Sequence, residues 1–469
     1  MTQSKSDTFA LKKMKFSGYY NQPTPNDDTL LTHVGSATPC GEYLRRYWHP
    51  FMLVSELNEL PVAVRLLGEN LVVFRDQSGQ LGLLHRHCAH RGVSLEFGII
   101  QEHGIRCSYH GWHYSVDGTI LDTPAEPIPS PISKNFVQGA YHVREQNGLI
   151  FGYMGPPESV PPLPLYDTYS TLGNVPAPFR MEVPCNWLQV VENAADPIHN
   201  AFLHAIVSGQ QFSPAFKVMP ELGFFDTPQG FLSMATRKVG DFVFIRAGDM
   251  ILPNVSQFPA GTNAAQTELV NVHPTLTRWA VPVDDHNTFY IGTMNLNDFS
   301  NPRSRNPEDY GVGKMSFIGQ TADRPYTERQ AEPGDYDAMV SPGFIVNRKA
   351  EHLATTDRGV AKFRRVLTQA IQATRIGEVP ASPRLYPEGV VARTYAHEIV
   401  LRLPDKDALS TPEALAEFGR RAAKVLVEMD NHPLEQRDQL AEAGVRRVLQ
   451  ECVAERTVDV AKTAPAGQA

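Results

Sequence analysis

The stretch "CAHRGVSLEFGIIQEHGIRCSYH", Cys88 to His110, twice sets one cysteine beside one histidine: Cys88-x-His90, then Cys107-x-x-His110, with sixteen residues between the pairs. Thiolate and imidazole are ligands of tetrahedral zinc and of iron. Structural zinc sites usually pair cysteine with cysteine and then histidine with histidine. Here each loop carries one of each. That mixing suits a two-iron cluster with both thiolates on one iron and both imidazoles on the other. A zinc clip is the competing assignment.

A second group sits in "NWLQVVENAADPIHNAFLH", Asn186 to His204, which holds Asp196, His199 and His204. Two histidines five apart are not the i, i+4 pair of zinc proteases, and on a regular helix five residues advance about 500°. Both rings reach one metal only if the helix ends, bulges or kinks between them. The bland reading is a packed or exposed pair. Asp196, just before Pro197, also reads as a helix N-cap with proline at the first helical position.

The elements that must carry these residues fall into two parts. A chain of 469 residues exceeds one ordinary core. Between Tyr43 and about Leu121, short apolar runs flank Gly68-Glu69-Asn70, Gln77-Ser78-Gly79-Gln80 and Asp117-Gly118, the pattern of a small antiparallel β domain. Proline-rich stretches at 123 to 133 and 155 to 165 follow, the second a natural boundary. Beyond it, strand-like runs such as "FVFIRAG" and "NTFYIGTMNL" alternate with helical ones. The expected fold is therefore α+β: an N-terminal segment (1–42) packing on the catalytic domain, a small β domain (43–155), and a larger domain (156–469) with an antiparallel sheet flanked by helices.

Three helices are expected. Residues 357 to 373 place Val360, Phe363, Leu367 and Ala370 on one stripe. Thr411 and Pro412 open a second, with Leu415, Phe418, Ala422 and Val425 on one face. Pro433 opens a third, ending near Cys452, and the last fifteen residues look frayed.

The formal net charge of -8 and the lack of a Lys/Arg block exclude a nucleic-acid footprint. The N-terminus carries no continuous apolar stretch, and no window reaches eighteen apolar residues, so a cytoplasmic protein without membrane contact is expected. Five scattered cysteines argue against a disulfide framework.

"CAHRG" with "CSYHGWHYSVDG", including Gly92, Gly111 and Trp112, closely resembles the cluster loops of Rieske-type non-haem iron oxygenases. The resemblance covers about residues 40 to 375. It implies that Cys88 and Cys107 bind one iron of a [2Fe-2S] cluster and His90 and His110 the other. His85, His87, His103 and His113 then have structural or surface roles. Asp-Pro-x-His-x4-His resembles the family's mononuclear site, implying His199 and His204 as ligands of an Fe(II) held by two histidines and a carboxylate. Asp196 is implied to link His199 electronically to His110 of a neighbouring subunit.

The remaining ligand precedes a segment similar to "PGFIVNRKAEHLATTD" in the phthalate-dioxygenase-like branch, from which Phe344 and Asn347 depart. Counting back eight positions from Gly343 gives Asp335, with Asp337 as rival and two solvated loop charges as the default for "EPGDYD" alone. The resemblance further implies O2 as co-substrate and a closed ring, a trimer or stacked trimers. It also implies a separate NAD(P)H-dependent reductase of flavin or ferredoxin type as the electron source, and no Gly-x-Gly-x-x-Gly follows a strand that would give this chain a nicotinamide or flavin site of its own. The implied activity is hydroxylation of an aromatic substrate, an aromatic carboxylate by preference. The alternatives are oxidative O- or N-demethylation and, from another class, a Rieske electron carrier or a zinc-binding structural protein.

Overall fold

The computed structural model describes residues 15–463 except 23, 129, 208–211, 262–266, 299, 301–304, 316, 379–385, 406, 430–431 and 434–435; for 456–463 it describes the backbone only. Two short helices, α1 (Thr29–Thr32) and α2 (Pro39–Leu44), lead into strands β1 (Trp48–Leu53), β2 (Val62–Leu66), β3 (Glu69–Arg75) and β4 (Leu81–His85). A second small sheet follows, made of β5 (Ile99–Ile100), β6 (Ile105–Arg106), β7 (His113–Tyr114) and β8 (Ile120–Asp122). After α3 (Pro131–Asn135), strands β9 (Ala140–Gln146) and β10 (Leu149–Tyr153) return to the first sheet, whose order is β1-β10-β9-β4-β3-β2.

Turn chemistry sets these registers. Leu67 and Gly68, both at positive φ, form the two-residue turn between β2 and β3, so Glu69 and Asn70 belong to β3 rather than to the turn. Gly79 and Gly118 supply positive φ at the two other expected turns.

The larger part begins with β11 (Leu165–Tyr166) and β12 (Val175–Val183). The latter buries Ala177, Phe179, Met181 and Val183 at strand period. Helix α4 (Trp187–Ala195) follows, capped by the Asn186 side chain on Leu188 N–H. Then come β13 (Glu221–Thr227), β14 (Gly230–Val239), β15 (Phe242–Ile251), β16 (Val255–Phe258), β17 (Leu269–Asn271), β18 (Leu276–Pro282) and β19 (Thr288–Leu296). Their order is β12-β19-β18-β16-β15-β14-β13, joined late by β21 (His397–Arg402), which pairs with β15 and with β17, while β20 (Val391–Ala392) pairs in parallel with β11 as a separate two-stranded sheet. One continuous apolar core runs from Phe51, Leu83 and Ile150 in the first sheet to Trp187 of α4 and to Trp279 and Ile291 in the large sheet.

Helices α5 (Tyr326–Ala331) and α6 (Asp335–Val340) precede α7 (Arg358–Arg375), which buries Val360, Phe363, Leu367 and Ile371. Helix α8 (Pro412–Glu428) is capped by Thr411 as expected, and buries Phe418, Ala422 and Ala423. The last helix, α9 (Arg437–Thr463), corrects the expectation: it starts four residues after Pro433 and continues past Cys452. It is held on α8 through Ala441, Val445 and Val448 and by Arg437 paired with Asp167 at 2.6 Å. Among the described residues no helix is long and apolar enough to cross a membrane.

Candidate metal centres

Two matching turns form the first centre. In the loop after β4, Cys88 N–H bonds Val93 O and Gly92 N–H returns to Cys88 O; in the loop between β6 and β7, Cys107 N–H bonds Trp112 O and Gly111 N–H returns to Cys107 O. Each turn closes through a glycine at positive φ, 78° for Gly92 and 76° for Gly111, which a residue with Cβ adopts only with strain. The buried side chain of Gln138 pins the first loop, accepting from Ala89 N–H and donating to His85 O and His87 O.

The two loops face each other. The His90 and His110 rings lie 4.6 Å apart, and His90 stacks on Trp112 with planes 4° from parallel. Cys88 and Cys107 are buried in the same apolar cluster, and Tyr114 Oη sits 2.9 Å from Cys88 Sγ. Burial, then the neighbouring Cys88, pushes the Cys107 thiol up. Buried His90 Nδ1 has no hydrogen-bond partner among the described residues, as expected of an atom reserved for a metal. His87 Nδ1 donates to Gly92 O, and His113 Nε2 donates to His103 O at 2.6 Å, so those two rings are engaged locally.

The second centre depends on an irregular helix. Helix α4 ends at Ala195 with Asp196 as its C-cap, and Pro197 lies outside any helix. Asp196 therefore does not N-cap a helix that starts at Pro197; its Oδ1 accepts from Ile198 N–H in the turn between helices. Residues Asn200–Val207 form a π-helix. Its wider i→i+5 turn brings residues five apart toward one side, and the His199 and His204 rings lie 5.1 Å apart.

Asp335, first residue of α6, faces both rings: Oδ1 is 3.1 Å from His204 Nε2 and 3.6 Å from His199 Nε2. Burial raises the Asp335 carboxyl, but the two histidines and the Gln320 amide outweigh it and hold it far below the carboxylate range. Burial likewise lowers His199, but Asp196 and Asp335 reverse that and raise it. Asp337 points elsewhere: it accepts from Gly334 N–H as a helix-start cap and pairs with Arg329 at 2.6 Å. The donor set of two imidazoles and one carboxylate fits a facial Fe(II) site.

A cavity of about 140 Å³ opens from this triad. Its wall carries three arginines. Pairing of Ala235 with Arg246, and of Ser256 with both Met250 and Arg278, sets Arg237, Arg246 and Arg278 on one face of the sheet. Arg237 is 1% exposed, donates Nε–H to Val218 O, lies over Phe216 and Phe244, and leaves Nη1 without a partner among the described residues. Burial, then Arg246, pushes it down to about 9. Arg246 is pushed down to about 10 by burial, against the pull of Glu398. Arg278 lies over Phe258 and Tyr290 and donates to Ser256 Oγ. Arg237, Arg246, Arg278, Asn193 and Gln320 escaped the sequence reading. The available signal was a lone arginine inside an apolar strand, as in "FVFIRAG".

Residues 47–132 match the model of the Rieske [2Fe-2S] domain. Over 90% of this chain and 94% of its own length, the tert-butanol monooxygenase / tert-amyl alcohol desaturase oxygenase subunit of Aquincola tertiaricarbonis is 39% identical. The phenoxybenzoate dioxygenase subunit alpha of Ectopseudomonas oleovorans is 37% identical over 80% and 92%. For the phthalate 4,5-dioxygenase oxygenase subunit of Pseudomonas putida the figures are 30%, 76% and 88%. In fold alone, dicamba monooxygenase bound to 3,6-dichlorosalicylic acid aligns over 71% of this chain and 98% of its own, with a TM-score of 0.55 at 17% identity. The chain belongs to the Rieske non-haem iron oxygenases, as an α (oxygenase) subunit of the phthalate-dioxygenase-like branch. It is the terminal oxygenase of such a system, one that hydroxylates or demethylates its substrate.

Proposed function

We propose that this oxygenase hydroxylates an aromatic carboxylate, bound by the arginine wall beside the His199, His204 and Asp335 triad. The observation that carries the reading is Arg237, buried with an unpartnered Nη1 and no carboxylate within salt-bridge reach among the described residues. A buried cation of this kind is costly unless an anion joins it, and guanidinium is the natural bidentate partner of a carboxylate. Phe212 and Phe317 give the ring of such a substrate an apolar seat next to His204.

In this reading Cys88, Cys107, His90 and His110 hold the cluster, and His199, His204 and Asp335 hold Fe(II). When bound, the cluster supplies single electrons and the iron supplies open positions for O2 and substrate. Asp196, beside His199 and partly exposed, bridges toward His110 of an adjacent subunit in a trimer or stacked trimers. A separate flavin or ferredoxin reductase feeds the cluster from NAD(P)H. A cytoplasmic setting keeps Cys40, Cys185 and Cys452 reduced and leaves Cys88 and Cys107 to the cluster.

The test is oxygen uptake and product analysis with benzoate-type acids, their neutral isosteres and tert-butanol. Substituting Arg237→Met should raise KM for the acid about 100-fold while leaving the cluster spectrum unchanged. Turnover of tert-butanol with none of the acids would sink the reading, and formaldehyde release from a methoxylated acid would replace hydroxylation by demethylation.

A further inference from the structure

Gln320 belongs to no motif, yet the fold brings it to the triad with care. A Cβ on Gly334 would lie 2.4 Å from Gly319 Cα and O, so these two glycines allow the loop ending at Gln320 to rest directly on the start of α6. Tyr336 N–H bonds Gly319 O at 3.0 Å and locks that contact. Gln320 is buried and donates its Nε2–H to Asp335 Oδ2 at 2.8 Å.

The two oxygens of Asp335 therefore have different surroundings. Oδ1 faces both imidazoles and accepts from Asn193 Nδ2 at 3.1 Å; Oδ2 is taken by Gln320. The first turn of α6 does not need this carboxylate, because Asp337 caps it.

We propose that Gln320 is a positioning residue that holds Asp335 Oδ2 away from the metal, so that the carboxylate offers Oδ1 alone. The proposal rests on the reading of the triad as an Fe(II) site. With two histidines and one carboxylate oxygen, three positions of a six-coordinate iron stay open; a second oxygen would close one of them. Hydrogen bonds of this outer kind commonly orient metal ligands. Without the amide, Oδ2 would be a buried acceptor with no donor, and the metal would be the nearest partner for it.

The experiment compares wild-type holoenzyme with Gln320→Met and Gln320→Leu, both close in volume and lacking the donor. Iron per chain and the cluster absorbance serve as controls; the readouts are the affinity of the Fe(II) site for nitric oxide and its near-infrared circular dichroism in a magnetic field. Both variants should keep iron and cluster, bind nitric oxide about tenfold more weakly, and show ligand-field bands of one added oxygen ligand. Unchanged affinity and bands would overturn the proposal. So would loss of iron with the cluster intact, since Gln320 would then merely hold Asp335 in place. A crystal structure of iron-loaded wild type decides without any variant: both Asp335 oxygens bound to iron overturns the proposal, one bound supports it. Wild-type protein that takes up no iron at the triad would instead reject the metal reading itself.

Discussion

The four ligands proposed for the cluster come from one continuous stretch, on turns that close on themselves, Gly92 on Cys88 and Gly111 on Cys107. The triad takes His199 and His204 from a π-helical turn and Asp335 from a helix far along the chain, steadied by Asn193 and Gln320 from two other elements. In the first region the bonds that close each turn are local, and Gln138 adds a tie from farther along the chain. In the second, placement depends on α4, α6 and the loop at Gly319 packing against one another. Glu192, on α4 beside Asn193, shows how far that dependence extends: Arg364 of α7 holds it at 2.6 Å while also holding Glu351.

If the two regions are independent in this way, Cys107→Ser should abolish the cluster spectrum and all turnover yet leave iron at the triad. Conversely, Asp335→Ala should lower iron affinity about 100-fold with the cluster untouched, while Asp337→Ala keeps the iron and costs about 1 kcal/mol through its lost cap. Elemental analysis with absorbance spectra reads both arms. Iron loss in Asp337→Ala alone would reverse the assignment.

Asp196→Asn addresses the join between regions. Both metals should stay, and the reduced cluster should still form with dithionite, but steady-state oxygen uptake should fall at least tenfold. Normal turnover would remove the bridging role.

An effect on stability alone, leaving turnover at neutral pH untouched, concerns the frame both regions share. His49 of β1, bonded to Leu44 O and facing Asn254, and His397 of β21 are fully buried, and burial lowers each to about 4. The unfolded chain takes up these protons near pH 6.5, the folded one only near 4. Stability from these groups is thus complete above pH 6.5 and drains as pH falls toward 4, by on the order of 3 kcal/mol each. Thermal melts of metal-loaded protein between pH 7 and 4 should show this slope, and His397→Asn should flatten part of it.

Much of the cluster region could be read directly, because Cys-x-His, Cys-x-x-His and their glycines are local grammar. Thr411-Pro412 and the stripe from Val360 to Leu367 were legible for the same reason: capping and helical period act over a few residues. The end of α9 was not, since its continuation past Cys452 has no stop signal and its anchorage comes from α8 and Asp167. The turn at Leu67 was expected to start one residue late and to end two residues late, because Gly68 alone does not say which neighbour shares its positive φ.

The order of residues by itself determined the Cys/His loops, the histidine pair five apart and a short choice of carboxylates, since spacing along a chain limits which ligands meet. It could not select Asp335 over Asp337 on chemistry, because both carry the same group; the direction each faces on α6 is what favours Asp335. Nor could it gather Arg237, Arg246 and Arg278 beside the triad. They sit on three strands whose shared face exists only once β14, β15, β16 and β18 pair in register, and register depends on the whole sheet.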